Sequence, residues 1–245
     1  AGVILTLTAM NLVSLLLMQD NTEVCRPRGT GDRSVMLSLL RSRAFRAVAL
    51  MEMLEQMAEG LTMGFLGTYK TIELGFTVWT VQLFSTAANL GRMGLSLPIG
   101  RYSDRRSYTN GYRMGLGLML AAFVVLSFTS PARRWLMAAF MVLYSVSYAA
   151  IGGNSANVLF SYVPYSSFSA AYSLVRSVNG VIYFFSALLG SAILRAVSGG
   201  GNRLFGLPVY AQQVLAFGSA VLLLLSLLQN RLVVFRQPRH SEETV

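Results

Sequence analysis

Seven long apolar runs occupy most of the chain: Val3 to Met18, Ala44 to Gly67, Val78 to Ile99, Tyr112 to Phe128, Trp135 to Phe160, Ala170 to Val197 and Ala211 to Leu228. A helix needs about 20 mostly apolar residues to cross a hydrocarbon layer of about 30 Å, and every run approaches or exceeds that length. Within such a layer each backbone polar group must be satisfied by the structure itself, which leaves helices and closed barrels. The alternating segments of about ten residues that build a membrane barrel are absent from the sequence. The expectation is therefore an all-α membrane protein. Composition agrees: 54% of residues are hydrophobic and 12% charged, whereas a soluble domain carries about 25% charge.

The runs differ in where they keep polar side chains. In the second, Glu52, Glu55 and Glu59 recur at i, i+3 and i+7 with Gln56 beside them, a spacing that puts all four on one helical face. An ionised carboxylate in a membrane is costly unless it meets water, a cation or a proton, and a proton-coupled carrier needs a group that accepts and releases one. Glu52 has a second use open to it, as the interfacial partner of Arg46 or another arginine. The third run aligns Gln82, Ser85, Thr86, Asn89, Arg92 and Ser96. Arg92 stands about two turns before Gly100, so its guanidinium must snorkel, pair with a glutamate of the preceding run, or contact solute.

The fifth run gathers Tyr144, Ser147, Tyr148, Asn154 and Ser155 around the Gly152-Gly153 pair. Tyrosines there can stack on a ligand while hydrogen-bonding it; close helix packing through small residues is the competing use. The sixth run adds Tyr172, Ser173, Arg176, Asn179 and Tyr183, and Arg176 has no acidic neighbour in sequence to neutralise it. The fourth and seventh runs are almost bare. The last six runs thus read striped, striped, bare, striped, striped, bare. A three-span unit used twice enters the membrane from opposite sides, which is the inverted repeat of secondary carriers.

The net charge of +10 does not mark a nucleic-acid binder, because most of the cations sit in or beside the connectors between runs. All but Lys70 are arginines. Arg26, Arg28, Arg33, Arg41, Arg43 and Arg46 lie before or at the start of the second run, Arg101, Arg105, Arg106 and Arg113 lie between the third run and the start of the fourth, and Arg231, Arg236 and Arg239 follow the last. These segments share one side, cytoplasmic by the positive-inside rule. Lys70, Arg133, Arg134, Arg195 and Arg203 fall on or near the other. A short surface helix is expected over Ser34 to Ser42. One cysteine, Cys25, and one histidine, His240, provide neither an internal disulfide nor a metal-ligand cluster. No span holds a nucleophile motif or a paired acid and base, so catalysis is not expected and no cofactor is implied.

Between the third and fourth runs the chain reads Gly100-Arg101-Tyr102-Ser103-Asp104-Arg105-Arg106-Ser107-Tyr108. This resembles the signature loop of the major facilitator superfamily, in which a glycine is followed four residues later by Asp-Arg and further basic residues; Ser107 stands where that loop commonly has glycine. The resemblance implies an alternating-access carrier. It also implies that Gly100, Asp104, Arg105 and Arg106 act in gating, with Gly100 permitting close helix approach.

Registered on the second occurrence of that loop, the chain is similar to the C-terminal half of such a carrier. Residues 1–19 then correspond to the last helix of an N-terminal half, 20–43 to a cytoplasmic linker, 44–230 to a six-helix bundle of 3+3 inverted repeats, and 231–245 to a cytoplasmic tail. Five further spans are expected upstream. The function so implied is secondary active transport of a small solute across a plasma (inner) membrane, with the lipid bilayer, the other half and a proton or other coupling ion as partners. Glu52, Glu55, Gln56 and Glu59 are the expected coupling residues. Gln82, Asn89, Arg92, Tyr144, Tyr148, Asn154, Arg176 and Asn179 are the expected solute contacts. A solute sensor or membrane scaffold on the same fold, without transport, is the alternative.

Overall fold

The computed structural model describes residues 33–204 and 207–234; the first apolar run, Cys25, His240 and the end of the tail lie outside them. Helix α1, Arg33–Arg41, realises the expected surface helix. Ser42 then caps α2, Arg43–Thr62, by accepting the Phe45 amide at 3.4 Å. Beyond Thr62 the chain keeps winding with a changing pitch, through a 3-10 turn at Met63–Phe65, one α turn at Leu66–Thr68 and a π turn at Tyr69–Glu73. Gly75, at φ +66°, supplies the left-handed residue that redirects it.

Thr77 caps α3, Val78–Arg106, accepting the Thr80 amide at 3.2 Å. Helix α4 follows at Tyr108–Ser127 after a single extended residue, Ser107. Next come α5, Leu136–Phe160, and α6, Phe168–Gly199. A two-residue antiparallel ladder, Arg203–Leu204 against Leu207–Pro208, leads into α7, Ala211–Leu232. All six described runs thus form helices. Four segments, Tyr108–Ser127, Leu136–Phe160, Tyr165–Gly199 and Ala211–Leu232, are long and apolar enough to cross a membrane by length and composition; α2 and α3 are long enough but carry the most polar stripes.

The main pairings are α2 with α7 and α6, α5 with α4 and α3, and α4 with α7. Exchanging α2 with α5, α3 with α6 and α4 with α7 maps this set onto itself. Tyr112, Leu116, Met119, Phe123, Leu215 and Leu223 fill the centre, fully buried. The outside is greasy, with Trp79, Leu83, Leu90, Phe184, Phe185 and Phe217 exposed, an arrangement suited to lipid rather than water.

Small residues set the closest approaches, as is usual between membrane helices. A Cβ at Gly115 would lie 2.7 Å from Ile151 of α5, and one at Gly60 would lie 2.7 Å from the Tyr183 carbonyl of α6; Gly111 packs on Ser103 and Asn154, and Gly190 on the Leu61 carbonyl. Gly100 does not behave as expected. Nothing stands within 4 Å of a Cβ placed there, so the close α4 to α5 approach is made by Gly111 and Gly115 instead.

The bare α7 is stitched to α2 by a regular polar ladder. Gln212 Nε2 donates to the Phe65 carbonyl at 3.1 Å, Ser219 Oγ to the Ala58 carbonyl at 2.7 Å, and Ser226 Oγ to the Met51 carbonyl at 2.9 Å. Donors and acceptors both step by seven residues, in opposite directions. Thr62 reinforces the middle rung: since Ser219 spends its one proton on Ala58, the 2.7 Å contact between the two hydroxyls has Thr62 as donor.

Candidate solute cavity and carboxylate row

Helix α2 carries its three glutamates inward. Glu52 and Glu55 are each 3% exposed and Glu59 is 6% exposed. Each receives a neutral donor from a different place. Asn179 Nδ2 of α6 reaches Glu52 Oε2 at 3.3 Å, Gln56 Nε2 reaches Glu55 Oε2 at 3.1 Å, and the Tyr144 hydroxyl of α5 donates to Glu59 Oε1 at 2.6 Å. Hydrogen bonds lower the cost of a buried carboxylate without cancelling its charge. Arg176 stands within electrostatic reach of Glu52, but its own hydrogen bond goes to Ser155 Oγ at 2.8 Å and its guanidinium lies 5.0 Å from the Tyr172 ring. Sequence distance hid the Glu52 to Arg176 proximity, because the two residues come from helices far apart in the chain.

Beside Glu59 a cavity of about 560 Å³ opens between α2, the turns that follow it, α3 and α5, with Tyr183 of α6 at its edge. Of the expected coupling residues and solute contacts, Gln56, Glu59, Asn89, Arg92, Tyr144 and Tyr148 line it. Gln82, Asn154, Arg176 and Asn179 stand outside that lining, as do Glu52 and Glu55. Asn154 is buried and donates to the Ala150 carbonyl of its own helix at 2.6 Å. No described residue of α4 or α7 contributes to the lining.

One wall is aromatic. Phe140 stacks on Tyr144 with centroids 5.6 Å apart, Tyr148 follows at 5.9 Å, and Phe123 meets Tyr144 edge-on at 6.3 Å. Arg92 makes no ion pair with a glutamate among the described residues. Its guanidinium lies over the Tyr148 ring at 4.4 Å, a cation–π contact that engages the flat face and leaves the N–H edge open. Ser145 Oγ, also in the lining, donates to the Ala88 carbonyl and ties α5 to α3 at this level.

Lys70 is the residue that sequence reasoning missed. It counted as a connector cation, yet it is 8% exposed and borders the cavity. Its signal was present: Gln56, Glu59, Met63, Leu66 and Lys70 step by three and four residues, one face extended past the end of α2. Burial draws the Lys70 ammonium below the ordinary lysine range, because desolvation disfavours the charged form.

The signature segment is helical rather than a loop. Gly100 to Arg106 form the last turns of α3, and Asp104, Arg105 and Arg106 are exposed, with Arg106 lying 5.9 Å from the Tyr102 ring.

A family model described as the Major Facilitator Superfamily matches residues 48–245. The chain belongs to that superfamily. The match begins within α2 and runs through every later span, so carboxylate row, cavity and signature segment all fall inside it. Membership makes the chain an integral membrane protein and a transporter, in a superfamily of transporters rather than enzymes. Comparison with curated proteins finds no match.

Proposed function

We propose that this superfamily member is the C-terminal bundle of a secondary active carrier, moving a small solute by alternating access and coupling that movement to protons. The carrying observation is Glu59: a carboxylate 6% exposed, bonded by a neutral phenol at 2.6 Å, on the wall of a 560 Å³ cavity. A carboxylate so placed can change its proton occupancy only through the cavity, which links protonation to the contents of the site. Glu55 and Glu52 continue the row behind it and serve as further stations. The self-mapping helix pairing, with α4 and α7 kept out of the cavity, supports the 3+3 inverted repeat, and rocking of the bundle against a second half would expose the cavity to alternate sides.

On this reading residues 20–43 form the linker from that half, 44–230 the bundle and 231–245 the tail. The arginine-rich connectors favour a cytoplasmic linker and tail in a plasma (inner) membrane. Asp104, Arg105 and Arg106, exposed at the end of α3, are the gating contacts. The test is solute-driven proton movement in proteoliposomes containing the intact carrier and a trapped pH dye. Glu59→Gln should abolish the proton signal while solute exchange continues; an undiminished signal would refute the role assigned to Glu59.

A further inference from the structure

We infer that the cavity binds a small organic monoanion of the carboxylate class, gripped at its charged end by Lys70 and Arg92; this rests on reading the cavity as the solute site. The first observation is Lys70 itself. Its side chain is 8% exposed, borders the cavity, and makes no hydrogen bond or ion pair among the described residues. A largely buried ammonium that borders the cavity with no protein acceptor keeps its donors free for an anion in that cavity.

The second observation is independent and comes from α3. Arg92 meets the face of Tyr148 at 4.4 Å, so the ring orients the guanidinium while its in-plane donors stay available for a carboxylate. The third is the balance of charge. Lys70 and Arg92 are the cations of the described lining and Glu59 is its acid, with one oxygen already held by Tyr144. With Glu59 ionised the lining carries one net positive charge, which a monoanion neutralises. A cationic solute would add to it.

The remaining wall defines the body of the ligand. Met63, Leu66, Phe140 and Met141 offer apolar and aromatic surface, and about 560 Å³ falls inside the usual range of about 300–1,000 Å³ for small-molecule pockets. A carboxylate on a compact aromatic or branched apolar body meets both ends of the site.

Equilibrium binding to the intact carrier in nanodiscs, with empty nanodiscs as background, decides the matter. The probe is radiolabelled benzoate, with benzamide and benzylamine as neutral and cationic competitors of the same shape. Saturable benzoate binding should resist both competitors. It should weaken about tenfold or more in Lys70→Met and in Arg92→Met, the loss of one charge-assisted contact, and survive in Lys70→Arg. The rescue by Lys70→Arg separates a lost charge from a damaged fold. Benzoate binding unaltered by Lys70→Met overturns the inference. Displacement by benzylamine at equal concentration overturns the anion class yet leaves the cavity a solute site. Binding of none of the three probes overturns the inference too, and the Glu59→Gln proton assay then tells whether the carrier reading falls with it.

Discussion

Replacing Ser219 and Ser226 with alanine, singly and together, tests how α2 is held against α7. Ser226 makes one bond to α2, at 2.9 Å, whereas Ser219 makes two, donating to Ala58 and accepting from Thr62, both at 2.7 Å. Hydrogen bonds between membrane helices average about 0.6 kcal/mol. Ser226→Ala should therefore cost about 0.6 kcal/mol and Ser219→Ala about 1.2 kcal/mol on that same scale. Seven residues separate the rungs by about 10.5 Å along the axis, beyond the range at which neighbouring substitutions couple, so the double variant should lose about 1.8 kcal/mol.

Gln212→Met should cost almost nothing, because it removes a buried carbonyl oxygen that has no partner along with the bond to Phe65. Ser96, exposed and bonded only to Met93 of its own helix, is the control. The assay is equilibrium unfolding of the purified protein in mixed micelles on titration with a denaturing detergent. Equal costs for Ser219→Ala and Ser226→Ala, or a double variant no weaker than Ser96→Ala, would refute the ladder.

Three further outcomes are expected. Gly190→Ala drives a methyl into the Leu61 carbonyl and the Phe65 ring and should cost about 1–3 kcal/mol, whereas Gly117→Ala, with nothing within 4 Å of the new carbon, should be neutral or stabilising by up to about 1 kcal/mol; the same unfolding titration compares them. Tyr144→Phe removes the 2.6 Å donor from Glu59, a charge-assisted contact of about 1.5–3 kcal/mol, and should cut proton-coupled uptake about tenfold; unchanged uptake would contradict the pairing. Ser155→Ala removes only the acceptor of Arg176 and, since neither residue lines the cavity, should leave benzoate affinity within about twofold.

The architecture was legible because bilayer thickness and helical periodicity leave few choices. The polar stripes of Glu52 to Glu59 and of Tyr144 to Asn154 read directly as inward faces, and Glu59, Tyr144 and Tyr148 do meet at one cavity. What failed to show was decided by packing. A serine among leucines looks like part of a bare helix, so Ser219 and Ser226 carried no visible signal until the carbonyls of α2 stood opposite them. Lys70 looked like a surface cation because the apolar run ends before it, although the irregular turns carry the inward face three residues beyond Gly67. Arg92 had a glutamate pair among its open options; its guanidinium instead lies on the ring of Tyr148, more than fifty residues away in sequence. Gly100 drew attention through its motif, while the glycines that set interhelical distance were Gly60, Gly111, Gly115 and Gly190.

The central claim is that the polar faces of α2, α3 and α5 border water at bilayer depth. In a Cys25→Ser background, single cysteines at Asn89 and Tyr148, both in the cavity lining, and at Phe217, exposed on the outside of α7, can be challenged with a membrane-impermeant maleimide in sealed proteoliposomes. Asn89→Cys and Tyr148→Cys should react from at least one face of the membrane and be protected by benzoate, while Phe217→Cys stays unlabelled in lipid. Cavity cysteines that remain unreactive from both faces, with and without a proton gradient, would contradict the account.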